Sequence, residues 1–309
     1  MNDIYTWAQD LYPLVKNRFD LRYNSRLNII REIVGIVRQE EIDYKMEGLG
    51  GYGELPVYTN STLTHADQKR GFTTTITPVE RALSVAVSYK NAKTDLSREA
   101  ARTGVRLADS AYMTVLNEFY RVFANAKTTN GADGVPWASA AHPVSSDEDA
   151  ETFSNLLKLE LSVSAITQAQ THASQFVTPD GLAFAANYDL LLVSPELEGK
   201  AREICGPDAR IMPQLNPETG IGANPVYGLR YLVIGGGGTG LTGDQWAIAD
   251  SMLLPEVLKL VYISEPTVLI SPQDNPLITD YIGYVDFAFG FGDARPIVFS
   301  EPEKSTQLT

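Results

Sequence analysis

Three arrangements in the 309-residue sequence have residue types and spacings that could do chemistry. The first is Gly235, Gly237 and Gly240, the glycine spacing that lets a backbone approach a dinucleotide pyrophosphate at the N-terminus of the next helix. The next residues are Leu241-Thr-Gly-Asp-Gln-Trp246, which read as a turn entering a strand, and too little chain remains for the rest of a doubly wound sheet. A phosphate loop fails as well, because Leu241 stands where a lysine must reach the phosphates. A second match, Gly48, Gly50 and Gly53, lacks both the preceding strand and the succeeding helix. The run Gly235–Gly238 therefore predicts a mobile turn or a crowded place where the backbone needs positive φ or close approach.

The second arrangement is the histidine set, His65, His142 and His172. No two lie at metal-ligand spacing and none accompanies a nucleophile-elbow motif, so each is expected to be a surface or hydrogen-bonded structural residue. The acidic run Asp147-Glu148-Asp149 lacks the glycine turn of a calcium loop. The third is Cys205, the single cysteine, which precludes an intrachain disulfide and a thiolate zinc site. Placed at a helix end before Gly206-Pro207, it reads as a small apolar residue. No catalytic residue, cofactor or metal is expected.

A composition of 44% hydrophobic and 20% charged residues is that of a globular chain, about two domains long at this length. No apolar run approaches the roughly 18 residues of a membrane span, and Asp3 and Asp10 stand where a signal peptide would be basic and then apolar, which predicts a soluble intracellular product. The net charge of -13 argues against binding nucleic acid by phosphate neutralisation. That charge is uneven. In residues 1–39, Lys16, Arg18, Arg22, Arg26, Arg31 and Arg38 outnumber the acids, whereas the chain from Glu196 onward is strongly acidic, as in subunits that attract one another head to tail.

The elements that would carry these groups begin with two amphipathic helical patterns, Ile4, Trp7 and Leu11 ahead of Pro13, then Leu27 to Val37. Alternation at Phe72 to Ile76 and at Leu83 to Tyr89, around a polar stretch from Thr59 to Gly71, predicts a long two-stranded excursion over 48–89. An isolated hairpin is marginal in water, so this one is expected to lean on another chain. The longest helical pattern runs from Leu96 to Asn125, about 45 Å at 1.5 Å per residue, with Arg98, Arg102 and Arg106 off its apolar stripe. A helix over Ser162 to Phe176, a strand over Tyr188 to Val193, a helix opened by Ser194, a strand over Tyr231 to Ile234, and strands over Thr267 to Ile270 and Tyr281 to Phe291 complete the pattern.

In this order the pieces resemble the major capsid (head) proteins of tailed bacteriophages with the Hong Kong 97 fold, particularly the Mu-like head subunits. The resemblance rests most on Asp133-Gly-Val-Pro-Trp137, Ala141-His142-Pro143 and Ser154-Asn155-Leu156, and on the strand Leu190-Leu-Leu-Val-Ser-Pro195 with Leu197 and Ala201. Glu265 to Ile270, Tyr281 to Phe291 and Asp293-Ala-Arg-Pro-Ile297 make the late β return. It implies an α+β fold with an N-terminal arm over 1–47, an extended β-hairpin loop over 48–90, a peripheral domain with the spine helix over 91–186 and 262–309, and an axial domain over 187–261. It also implies a structural protein, not an enzyme, made in a host bacterial cytoplasm and assembled as hexamers and pentamers into an icosahedral head around double-stranded DNA. An encapsulin-like nanocompartment is the alternative; the basic arm and the Asp-Gly-Val-Pro-Trp segment favour phage. The spine begins too early to leave room for an N-terminal scaffolding segment, so a separate scaffolding protein is implied, beside a portal and possible decoration proteins. The subunit-interface candidates are Trp7, Arg18, Arg22, Tyr52, Glu54, Lys69, Arg70, Phe72, Arg98, Arg102 and Arg106. Some relatives join a loop lysine to a neighbour's asparagine; Lys69 and Asn275 are conceivable partners, but no residue is assignable as the required proton acceptor and no cross-link is expected.

Overall fold

A computed structural model describes residues 7–26, 28–48, 55, 58, 71–94, 96–147, 150–209, 222–272, 275 and 277–303. The chain opens with α1 (Trp7–Asn24), α2 (Asn28–Ile33), β1 (Gly35–Arg38), β2 (Tyr44–Glu47), β3 (Thr73–Ile76) and β4 (Val79–Ser88). Next come α3 (Tyr89–Thr94), α4 (Leu96–Ala124), the short strands β5 (His142–Pro143), β6 (Thr152–Phe153) and β7 (Leu156–Leu157), and α5 (Val163–Ala173). After these come β8 (Leu190–Val193), α6 (Glu198–Cys205), β9 (Arg230–Val233), β10 (Gly235–Gly236), β11 (Thr239–Gly240) and β12 (Trp246–Ala249). The chain ends with α7 (Leu254–Val257), β13 (Leu258–Pro272), β14 (Ile278–Phe291) and β15 (Ile297–Ser300). Among the described residues, no helix is long and apolar enough to cross a membrane.

Two compact units divide the chain. The first comprises Met1–Tyr44, Ile76–Phe119 and Lys259–Phe289. In α1, Trp7, Leu11, Val15, Phe19 and Tyr23 recur every fourth residue and are all buried. This stripe carries the helix through Pro13, where the sequence pattern predicted a break: the proline's missing donor costs one hydrogen bond, and burial continues on both sides. The second helical pattern also ends early. After α2, residues 35–38 form β1, parallel to β13 with Gly35 opposite Lys259 and Arg38 opposite Tyr262.

The sheet of this unit has the order β1-β13-β14-β4. The expected excursion over 48–89 is paired differently from the sequence reading: β3 pairs with β2, and β4 pairs along its length with β14, from Ser88 opposite Ile278 to Val79 opposite Phe287. Alternation defines which residues of a strand share a face but not which distant strand lies beside it. The late β return likewise starts at Leu258, earlier than Thr267, as one strand of 15 residues. Pro266 is tolerated in it because β1 flanks only Lys259 to Tyr262, leaving that edge without a ladder where the proline falls.

The second unit comprises Lys45–Thr75, Tyr120–Leu258 and Gly290–Thr309. Its five-stranded sheet has the order β7-β15-β12-β8-β9, and every residue of β8, β12 and β15 is buried, which is why Leu190 to Val193 is apolar without alternation. Ile166, Ala169 and Ala173 of α5 and Ala201 and Ile204 of α6 join Leu191, Val193, Trp246 and Val298 in its core. Ser162 and Ser194 accept the backbone N–H groups of Ala165 and Leu197, capping the two helical starts as their positions predict.

Candidate subunit-contact surfaces

Of the residues that tempted an enzymatic reading, those described make turns and hydrogen bonds within the chain. Gly235 pairs with Gly240 and Gly236 with Thr239 in a two-residue hairpin, with φ of +61° at Gly237 and +81° at Gly238. A type I′ turn needs positive φ at both central positions, and this accounts for the glycine run. His142 is buried beside Asp133, and His172 Nε2 lies 2.7 Å from the Ser154 carbonyl oxygen. His65 and the residues Gly50, Gly53, Glu148 and Asp149 lie outside the described residues. Burial pushes the Cys205 thiol up to about 11, so at neutral pH it stays protonated and unreactive. Among the described residues, no group of three His, Cys, Asp or Glu side chains is placed to hold a metal.

The first unit carries a basic helical face. An added Cβ at Gly104 would come within 2.4 Å of the Val15 carbonyl oxygen, so α1 and α4 pack with their backbones in near contact. This approach brings Arg22 to Asp109, with Nε at 2.8 Å from Oδ1 and Nη2 at 3.3 Å from Oδ2; Arg26 Nη1 adds a third contact at 3.4 Å. Asp109 thus answers Arg22 within its own chain. Trp7 is also engaged internally: it is 8% exposed and meets Tyr89 edge-on at 5.7 Å. Arg18, Arg102 and Arg106 are different, being exposed and without an ion pair among the described residues. The side chain of Arg98 is outside those described.

A second feature is the outer strand of the same sheet. Val79, Leu83 and Val85 of β4 are exposed, at 56%, 51% and 37%. Leu83 borders a cavity of about 130 Å³ lined also by Arg81, Leu107, Ala111, Gly283 and Val285. Arg81 binds Glu118 at 3.1 Å and sits 4.6 Å over the Phe287 ring, yet its buried Nη1 has no hydrogen-bond partner. Opposite Glu80, the Asp286 carboxyl is held above its ordinary range by burial and by that neighbouring carboxylate.

The third feature is where the chain leaves for and returns from residues 49–70. Gly48 N–H donates to the Phe72 carbonyl at 2.9 Å, and a Cβ on Gly71 would lie 3.0 Å from Gly48 Cα. The two ends are therefore pinned together, with Phe72 half-buried at the junction. Tyr52, Glu54, Lys69 and Arg70 lie outside the described residues.

Sequence reasoning missed what the family-like segments do in the second unit. Trp137 packs against Phe291 at 4.8 Å, Phe299 at 5.2 Å and Phe123 at 5.6 Å. Buried Asn155 is a hub: Nδ2 donates to the Trp137 carbonyl at 2.7 Å and reaches those of Ile297 at 3.3 Å and Ala294 at 3.4 Å, while Oδ1 accepts the Ser139 N–H at 2.9 Å. The signal was present only as a polar residue beside the apolar pair Leu156-Leu157.

The described residues thus offer exposed arginines without an ion pair, an outer strand with exposed apolar side chains, and a hydrogen bond that joins Gly48 to Phe72. A family model described as phage capsid protein matches residues 71–299, and the chain belongs to that family. It is a major capsid protein, a structural subunit whose copies form an icosahedral shell. No curated protein sequence matches it. Its mixed helix and strand fold is that of Hong Kong 97-type capsids. It is similar to the virus-like particle from Pyrococcus furiosus at TM-score 0.54 and 11% identity, covering 94% of this chain and 99% of that one. The mature capsid of bacteriophage PhiM1 gives 0.53 and 12%, covering 90% and 87%, and the procapsid of satellite phage P4, which includes a size determination protein, gives 0.50 and 12%, covering 92% and 89%.

Proposed function

We propose that the chain is the head subunit of a tailed phage of the Mu-like type, made in the host cytoplasm and assembled as hexamers and pentamers around double-stranded DNA. It performs no catalysis. Assembly uses a separate scaffolding protein and a portal; the size determination protein in the P4 procapsid is a precedent for an accessory assembly protein on this fold. The family match favours this reading over an enzyme-filled compartment.

The carrying observation is that Arg18, Arg102 and Arg106 stand exposed and unpaired on packed helices of a chain whose net charge is -13. Such groups meet acidic surfaces of adjacent subunits, while the loop between Gly48 and Gly71, with Tyr52, Glu54, Lys69 and Arg70, lies over a neighbour and covers apolar surface there. The segment division into arm, extended loop, peripheral and axial domains belongs to the same proposal. Each exposed ion pair contributes about 0 to 1 kcal/mol, but a closed shell repeats every contact, so small terms act together.

Arg102→Glu with Arg106→Glu is expected to abolish assembly, or to move it to higher salt, while circular dichroism and the unfolding midpoint of the subunit stay close to those of the parent. Sedimentation across a salt titration, beside those two measurements, reads the assembly. Shell yield that is the same as the parent's at every salt concentration removes the electrostatic part of the proposal.

A further inference from the structure

His142 is 1% exposed, and both of its ring nitrogens face hydrogen-bond acceptors. Nδ1 lies 2.6 Å from Asp133 Oδ2, and Nε2 lies 3.1 Å from Asn155 Oδ1. The Asn155 amide has only one workable orientation. Its oxygen also accepts the Ser139 N–H at 2.9 Å, and its nitrogen faces the Trp137, Ile297 and Ala294 carbonyls at 2.7, 3.3 and 3.4 Å. Turned over, it would set an oxygen against three oxygens and an NH₂ against an N–H.

A neutral imidazole has a single N–H and satisfies one of these two acceptors; the imidazolium has two. We infer that His142 is a buried imidazolium clasped between the Asp133 carboxylate and the Asn155 oxygen, so that the second unit is held closed by a bound proton.

The surroundings fit a cation. Phe153 of β6 stacks on the ring at 5.3 Å, and the other charged groups near that phenyl are Arg295, 5.0 Å from its centroid, and Asp293, which pairs with Arg295 at 2.6 Å. Arg295 also donates to the Val144 and Val177 carbonyls at 2.7 Å each, so its charge is answered locally and Asp133 is left to His142. The clasp joins the 133–142 segment to β6, to Asn155 and, through Asn155, to the Ala294–Ile297 turn. Loss of the proton leaves one N–H for two oxygens: kept on Asp133, it sets the Nε2 lone pair against the Asn155 oxygen.

The test is nitrogen NMR on the full chain labelled at its three histidines, at neutral pH, where an exposed histidine ring is mostly uncharged. One ring is expected to carry hydrogen on both nitrogens, and its signals are expected to vanish in His142→Gln. Asp133→Asn keeps the ring while removing its counter-charge and is expected to return that ring to the singly protonated form; this variant also serves where His142→Gln does not fold. Three singly protonated rings in the parent chain overturn the inference, as does a doubly protonated His142 that is unchanged in Asp133→Asn.

Discussion

Asn155→Leu is expected to cost about 4 kcal/mol, a large part of the roughly 5 to 15 kcal/mol that holds a typical domain together. The side chains are similar in size, so the loss comes from partners and not from a cavity. Without the amide, the Trp137 carbonyl and the Ser139 N–H lose bonds of 2.7 and 2.9 Å, and the buried His142 Nε2 loses its acceptor. Each orphaned buried group costs about 1 to 3 kcal/mol, with incomplete additivity. Asn155→Asp separates the two halves of the argument, since it keeps an acceptor for Ser139 and His142 and sets a carboxylate oxygen against the Trp137 carbonyl. It is expected to be strongly destabilised too. Urea unfolding followed by tryptophan fluorescence measures both, and a shift of under about 1 kcal/mol in either variant contradicts the hub role.

Gly104→Ala is expected to lose about 2 to 3 kcal/mol, although alanine is the better helix former. The added methyl would stand 2.4 Å from the Val15 carbonyl oxygen, and neither backbone has a rotamer to move. The helices must separate, loosening Val15, Phe19, Leu107 and Ala108, which are at most 2% exposed. Gly199→Ala is the control: it lies in α6 with nothing within 4 Å of the added carbon and is expected to gain about 0.5 kcal/mol. The same substitution with opposite signs at two helical sites isolates the close approach from helix propensity. Equal effects at both sites contradict it.

The helices α4 and α5, the buried strand β8, the half-buried strand β9 and the two serine caps were readable in the sequence because their signals are local: a stripe of period 3.6, a short apolar run, a side-chain oxygen at the right offset. The features decided by distant partners were not. Val37 continues a helical pattern, but its segment is a strand because β13 offers Lys259 to Tyr262 as a ladder. Pro13 looks like a stop, but the buried residues on either side of it keep α1 whole. The strand at 79–88 was visible by alternation, whereas its partner, residues 278–287, was not.

The surroundings of the proposed contact residues were legible to a similar degree. Arg18, Arg102 and Arg106 stand out as basic residues on helical patterns, and they are exposed. Nothing in the spacing shows that Asp109 captures Arg22 or that Trp7 turns onto Tyr89, since both depend on how helices from distant parts of the chain pack. In the same way, Asp133-Gly-Val-Pro-Trp137, Ala141-His142-Pro143 and Ser154-Asn155-Leu156 read as separate family marks, and only the fold makes them one hydrogen-bonded cluster.

The central claim, that this chain is a shell subunit, is tested most directly by electron microscopy of the purified protein over a range of concentration and salt. The account predicts rings of six or five copies, or closed particles with icosahedral symmetry, built from a single band near 33.8 kDa. Uniform monomers under every condition, with no capsomers and no shells, would contradict it.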